Sequence, residues 1–144
     1  MKRSLCLIPV LILLPLTCFA AAHKHHHTTK PTKLTADQIR CGFTSVAYAS
    51  AYDELGHEIM RENSRVQEVA ESKRDSENGY YVMMKSHTIP HATARRICEE
   101  VYDRLVAIRS RYYDADTASR CSVSVRTADD DIVCDDLNGQ FSFD

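Results

Sequence analysis

The chain predicts an exported α+β domain, with two helices packed on one face of a small antiparallel sheet of about four strands, stabilised by disulfides. Three observations predict it. Residues 1–22 have the pattern of an export leader. Apolar residues recur at helical spacing in two stretches and alternate at strand spacing in others. Four cysteines, Cys41, Cys98, Cys121 and Cys134, remain beyond the leader, an even number for an oxidising compartment.

The leader begins with Lys2 and Arg3, continues through an apolar run from Leu5 to Leu16 that is broken by Pro9 and Pro15, and ends in Ala20-Ala21-Ala22. The run is short for a membrane span, and its prolines weaken it as a helix. Retention as an anchor fits poorly with the Ala triplet and the polar stretch that follows. Lipid attachment at Cys18 fits poorly because Thr17 sits where a Gly, Ala or Ser is usual. The expected working protein therefore starts near His23, in the periplasm or outside the cell. Three segments result: a signal peptide over 1–22, a disordered His-rich tail over 23–34, and a single α+β domain over 35–144.

The whole chain has 18 basic and 20 acidic residues, a net charge of −2, and loses two cations with the leader. Nothing in that balance favours nucleic acid or an anionic membrane surface. No second apolar run is long enough to cross a bilayer. The four cysteines read as two disulfides, and four cysteines permit three connectivities that the spacing leaves open. Zinc is the weaker reading, because no C-x-x-C pair exists.

The tail from His23 to Lys33 has no large apolar residue to offset the entropy of ordering. Thr35-Ala36-Asp37-Gln38 fits a capping box, so a helix is predicted to start there. Ile39, Phe43, Val46 and Ala47 begin its apolar stripe. After a polar gap at Ser50, Tyr52, Leu55, Ile59, Val66, Val69 and Ala70 resume it with a phase drift, and Gly56 is a candidate break. Charged residues from Glu71 to Glu77 let it fray, and Asn78-Gly79 reads as a turn. Tyr80 to Ser86 reads as a strand. Thr88-Ile89-Pro90 opens a second helix with Pro90 in its first turn. Ala94, Ile97, Cys98, Val101, Leu105, Ile108 and Tyr112 give the strongest helical period in the chain and put Cys98 on the buried face.

Tyr113 to Ser119 reads as a loop. Cys121, Val123 and Val125 alternate with polar residues as a half-buried strand. Asp129-Asp130 is a turn, Ile132 to Asp135 a short strand, and Asn138-Gly139 a hairpin turn before a last strand with Phe141 and Phe143. The predicted order is helix, strand, helix and a three-strand meander.

The chemistry-bearing residues are few. His23, His25, His26 and His27 cluster at the expected new N-terminus. Cleavage after Ala22 places His25 third, and cleavage after Ala20 places His23 third. A terminal amine, two amides and a third-position imidazole form the square plane that Cu(II) and Ni(II) favour. The plainer reading is a solvated arm with incidental metal affinity. His57-Glu58 lacks the second histidine of a zinc-protease helix, and His87 and His91 flank Pro90 without need to converge. Asp129, Asp130, Asp131, Asp135 and Asp136 lack the Gly and Glu of an EF-hand and read as turn formers. No nucleophile frame or phosphate-cradling glycine loop is present. In the pairs Tyr80-Tyr81 and Tyr112-Tyr113, one ring is expected in the core and one outside.

Tyr81-Val82, Ile89-Pro90, Cys98, Cys134 and Phe141-x-Phe143 follow one another in an order that resembles the globular half of type IVb pilins. In those proteins a strand leads into an Ile/Val-Pro dipeptide, then a helix with a cysteine, short strands, a second cysteine and an aromatic end. The match covers residues 80–144, less than half of the chain. It implies a Cys98–Cys134 bridge, leaving Cys41 with Cys121. The N-terminal half departs from the family. Gly42-Phe43-Thr44 looks like a prepilin cleavage site, but Ala47 stands where a glutamate is expected, and Ser45 to Glu54 is too polar for the membrane helix.

The reading that results is an exported, non-enzymatic binding or assembly domain of the cell envelope or secretome, with a protein partner and a pilus-like assembly as one setting. Its rivals are periplasmic copper or nickel binding through the His cluster, and a secreted virulence-type effector or hydrolase without a recognisable motif.

Overall fold

The computed structural model describes residues 33–72 and 78–143. Its order is α1 (Ala36–Arg40), α2 (Val46–Glu62), β1 (Val66–Ser72), β2 (Asn78–Met84), α3 (His91–Arg109), α4 (Ala115–Ser119), β3 (Cys121–Arg126), β4 (Ile132–Leu137) and β5 (Gln140–Phe143). The five strands lie in one sheet in chain order, from β1 to β5. The α+β class holds, but the described residues form four helices rather than two, and the sheet differs in two further ways. The sheet has five strands rather than four, and it is mixed rather than antiparallel. β2 and β3 run parallel because α3 carries the chain back across the sheet between them, while every other neighbouring pair is antiparallel.

The start of the domain follows the capping box. Thr35 Oγ1 accepts from the Gln38 amide at 3.1 Å, and Gln38 Oε1 accepts from the Thr35 amide at 3.0 Å. Leu34, placed in the tail by the sequence reading, packs against the core. The first helix stops after Arg40 because Gly42 takes a φ of +81°, a region that side chains with a Cβ avoid. The break therefore falls at Gly42, not at Gly56. Ser45 recaps the chain for α2, its hydroxyl accepting from the Tyr48 amide at 3.1 Å.

Gly56 stays inside α2 for a packing reason: a Cβ there would lie 2.7 Å from the Tyr80 hydroxyl. That hydroxyl donates to the Tyr52 carbonyl at 2.9 Å, holding α2 against β2. Val66, Val69 and Ala70 do not extend the helix. α2 ends at Glu62, Asn63 turns the chain, and these residues form strand β1. Asn78 and Gly79 sit within β2 and not in a turn.

Pro90 is the N-cap of α3, one residue outside the helix rather than in its first turn. Ala94, Ile97, Cys98, Val101 and Leu105 are buried as the period predicts, and Arg109 continues their stripe. Ile97, Val101 and Leu105 each contribute about 1.5–3 kcal/mol by leaving water. Tyr112 falls beyond the helix and is 39 % exposed. The loop expected before Cys121 contains α4, capped by Asp114 Oδ1 on the Thr117 amide at 2.9 Å. Asn138 (φ +55°) and Gly139 (φ +81°) form the expected hairpin turn between β4 and β5.

The helices share one face of the sheet: α2 lies over β1, α3 over β3 and β4, and the two touch each other. The register puts Tyr80 and Val82, Val123 and Val125, and Cys134 and Asp136 on that covered face. Phe43, Tyr48, Tyr52 and Tyr80 fill one end of the core with edge-to-face rings about 5 Å apart. No helix among the described residues is long and apolar enough to cross a membrane.

Candidate functional site

A concavity lies where the C-terminal end of α2 and the first turns of α3 part over the end of β2. One lobe encloses about 450 Å³, and its floor is Ile59, Met84, Ile97 and Val101. A second lobe of about 700 Å³ continues along Lys85 to Pro90 and shares Arg65, Met84 and Thr93 with the first. Both volumes fall in the range of ligand sites. The walls are positioned by rigid backbone. The Arg65 amide donates to Asn63 Oδ1 at 3.1 Å, and its carbonyl accepts from the Lys85 amide at 2.9 Å. Arg96 lies within α3, one turn along from Thr93.

The charges at this rim are unequal in their commitments. Glu62 and Glu100 are both held by Arg104, whose Nη2 lies 2.7 and 2.9 Å from them. Those carboxylates in turn push the Arg104 pKa up. Lys85 Nζ donates to the Ser64 carbonyl at 2.8 Å. Among the described residues, the Arg65 and Arg96 guanidinium groups engage no carboxylate or carbonyl. The start of α3 adds to the asymmetry, since it has no side-chain cap and no acidic residue in its first turn. The cleft thus combines an apolar floor with two uncommitted cations.

The histidines outside the tail do not converge. His87 Nδ1 lies 2.7 Å from Asp129 Oδ2, an exposed pair at the edge of the second lobe. Among the described residues no serine, threonine or cysteine side chain is hydrogen-bonded to His87, and Ser86 Oγ donates instead to the Thr88 carbonyl at 2.6 Å. His91 stacks on Phe143 with centroids 5.3 Å apart, and His57 lines a separate shallow pocket beside Tyr80. No group of three His, Cys, Asp or Glu among the described residues could hold a metal ion. His23, His25, His26 and His27, like the leader, lie outside the described residues.

Cys41, Cys98, Cys121 and Cys134 are all buried, and no disulfide joins them in this structure. Cys98 and Cys134 are brought together. Cys98 Sγ donates to the Val123 carbonyl at 3.2 Å. Burial first, then Cys134, pushes the Cys98 pKa well up. Cys41 faces Glu71, while burial raises the Cys121 pKa to about 11 against the opposing charge of Arg109.

Two buried charged groups escaped the sequence reading. Arg109 is 1 % exposed and donates from Nε to the Ala118 carbonyl, from Nη2 to the Thr117 carbonyl and from Nη1 to the Tyr48 hydroxyl, each at 2.8 Å. It caps α4 from below and ties it to α2. Its place four residues after Leu105 on the apolar stripe was the available signal. Asp136 is fully buried on the helix-covered face of β4, and neither carboxylate oxygen makes a hydrogen bond of ordinary length. Burial raises its pKa, partly offset by the nearby Gly139 and Gln140 amides, and Asp135 and Asp103 raise it further. The sequence reading ended this strand at Asp135 and took Asp136 as a turn former, whereas β4 runs on to Leu137 and carries Asp136 inside.

No family model, curated protein or solved structure matches the chain.

Proposed function

We propose that this chain is an exported, disulfide-stabilised binding domain of the cell envelope or secretome, and that its partner docks in the cleft between α2 and α3. The observation that carries the reading is the cleft itself: a concave surface on packed elements, with an apolar floor and the uncommitted guanidinium groups of Arg65 and Arg96. Exposed cations on a rigid rim steer association and set its specificity. The leader and the even cysteine count support export, and the burial of Cys98 and Cys134 on the packed elements α3 and β4 supports a bridge there. The sequence from Tyr81 through Ile89-Pro90, Cys98 and Cys134 to Phe143 is the support for a pilin-like variant of this reading.

The test compares wild type with Arg96→Glu, a substitution at an exposed position that breaks no described contact. Native envelope and culture-supernatant extracts are fractionated by size. The proposal predicts that wild type elutes in a complex larger than itself and that Arg96→Glu elutes alone. Co-elution of both variants, in either state, contradicts it.

A further inference from the structure

We infer that the cleft takes an acidic peptide segment that presents one apolar side chain between carboxylates. This rests on the cleft being the binding surface and goes further by fixing the chemistry of the occupant. Three features of the rim set the charge. Arg104 holds both Glu62 and Glu100, so the two acids nearest the cleft are neutralised from outside it. Arg65 stands on one wall and Arg96 on the other, each with its guanidinium unpaired among the described residues. A guanidinium presents a planar fork that matches a carboxylate.

The floor sets the rest. Ile59, Met84, Ile97 and Val101 are between 2 % and 7 % exposed, so they offer a narrow apolar seat and not a broad one. Such a seat suits a single Leu, Met or Phe anchor rather than a whole amphipathic helix. Ile89 and Pro90 extend the seat along the second lobe, which lets an extended segment run on from the anchor. A polyanion such as nucleic acid leaves the apolar floor empty.

A random peptide library displayed on phage is selected against the purified exported protein, and in parallel against Arg65→Glu/Arg96→Glu and against Arg120→Glu, an arginine outside the cleft that pairs with Asp116. Wild type and Arg120→Glu are expected to enrich acidic peptides with one large apolar residue. The double variant is expected to lose them by about tenfold or more and to enrich basic peptides instead. Thermal melts of each variant establish that the fold is kept. Enrichment of neutral or basic peptides by wild type, lost on charge reversal, overturns the acidic ligand but keeps the cleft. Enrichment that charge reversal leaves untouched overturns the cleft as well. Absence of any enrichment overturns the inference, as does retention on phosphatidylglycerol vesicles that the double variant abolishes.

Discussion

Replacing Arg109 tests how α4 is held against α2. The guanidinium is 1 % exposed and satisfies the carbonyls of Thr117 and Ala118 and the hydroxyl of Tyr48, while the Tyr113 ring lies 5.2 Å away. Hydrogen bonds from a charged donor contribute about 1.5–3 kcal/mol each. Their sum is offset by the several kcal/mol that burying a cation costs. Arg109→Met keeps the length and apolar stem but strands three acceptors, and about 3–5 kcal/mol should be lost. Arg109→Lys fills the space with a point charge that cannot span the same fork, and about 2–3 kcal/mol should be lost. Tyr48→Phe removes one acceptor and should cost about 1 kcal/mol, with less than additive loss when combined with Arg109→Met. Urea unfolding at neutral pH with a common m-value gives these differences. A loss below about 1 kcal/mol for Arg109→Met would refute the reasoning, since it leaves no room for three buried charge-assisted bonds.

Other expectations follow from the same interior. Asp136→Asn should raise stability by about 1 kcal/mol at neutral pH, because a buried carboxylate without short hydrogen bonds is costly. Its raised folded pKa means that protonation favours the fold, so the advantage of the variant should shrink as pH falls into the carboxylate range, as acid-side unfolding curves will show. Tyr48 behaves similarly at the alkaline end. Burial raises its pKa from 10.0 to about 12, so the folded state holds its proton more tightly than the unfolded one. Stability from this group is present below pH 10 and lost as pH climbs from there to about 12, and Tyr48→Phe should flatten that loss in alkaline urea titrations. If the chain is exported as proposed, Cys98 and Cys134 should be oxidised to each other, and Cys98→Ala should cost a few kcal/mol. Non-reducing peptide mapping is the check, and free thiols at both positions would sink the pairing.

What the sequence made legible was local. Thr35 and Gln38 announced a helix start because a capping box is complete within four residues. The period from Ala94 to Leu105 and the Asn138-Gly139 turn are equally self-contained. Val66, Val69 and Ala70 misled because they continue a helical count and become a strand only through pairing with β2. The parallel β2–β3 pairing was hidden because it depends on where α3 returns the chain, not on either strand alone. The cleft was illegible for the same reason. Its walls come from residues 62–65 and 93–100, and nothing in either stretch reveals that Arg104 commits Glu62 and Glu100 while Arg65 and Arg96 stay open.

The most direct test of binding through this cleft is photo-crosslinking in living cells from a residue on its wall. A photoreactive amino acid at Thr93 faces the cleft, and one at Ser142 in the edge strand β5 serves as the control position. The account predicts a discrete adduct of one mass from Thr93 and none from Ser142, with the Thr93 adduct lost on Arg65→Glu/Arg96→Glu. An adduct from Ser142 alone, or no adduct from Thr93 in cells that export the protein, would contradict it.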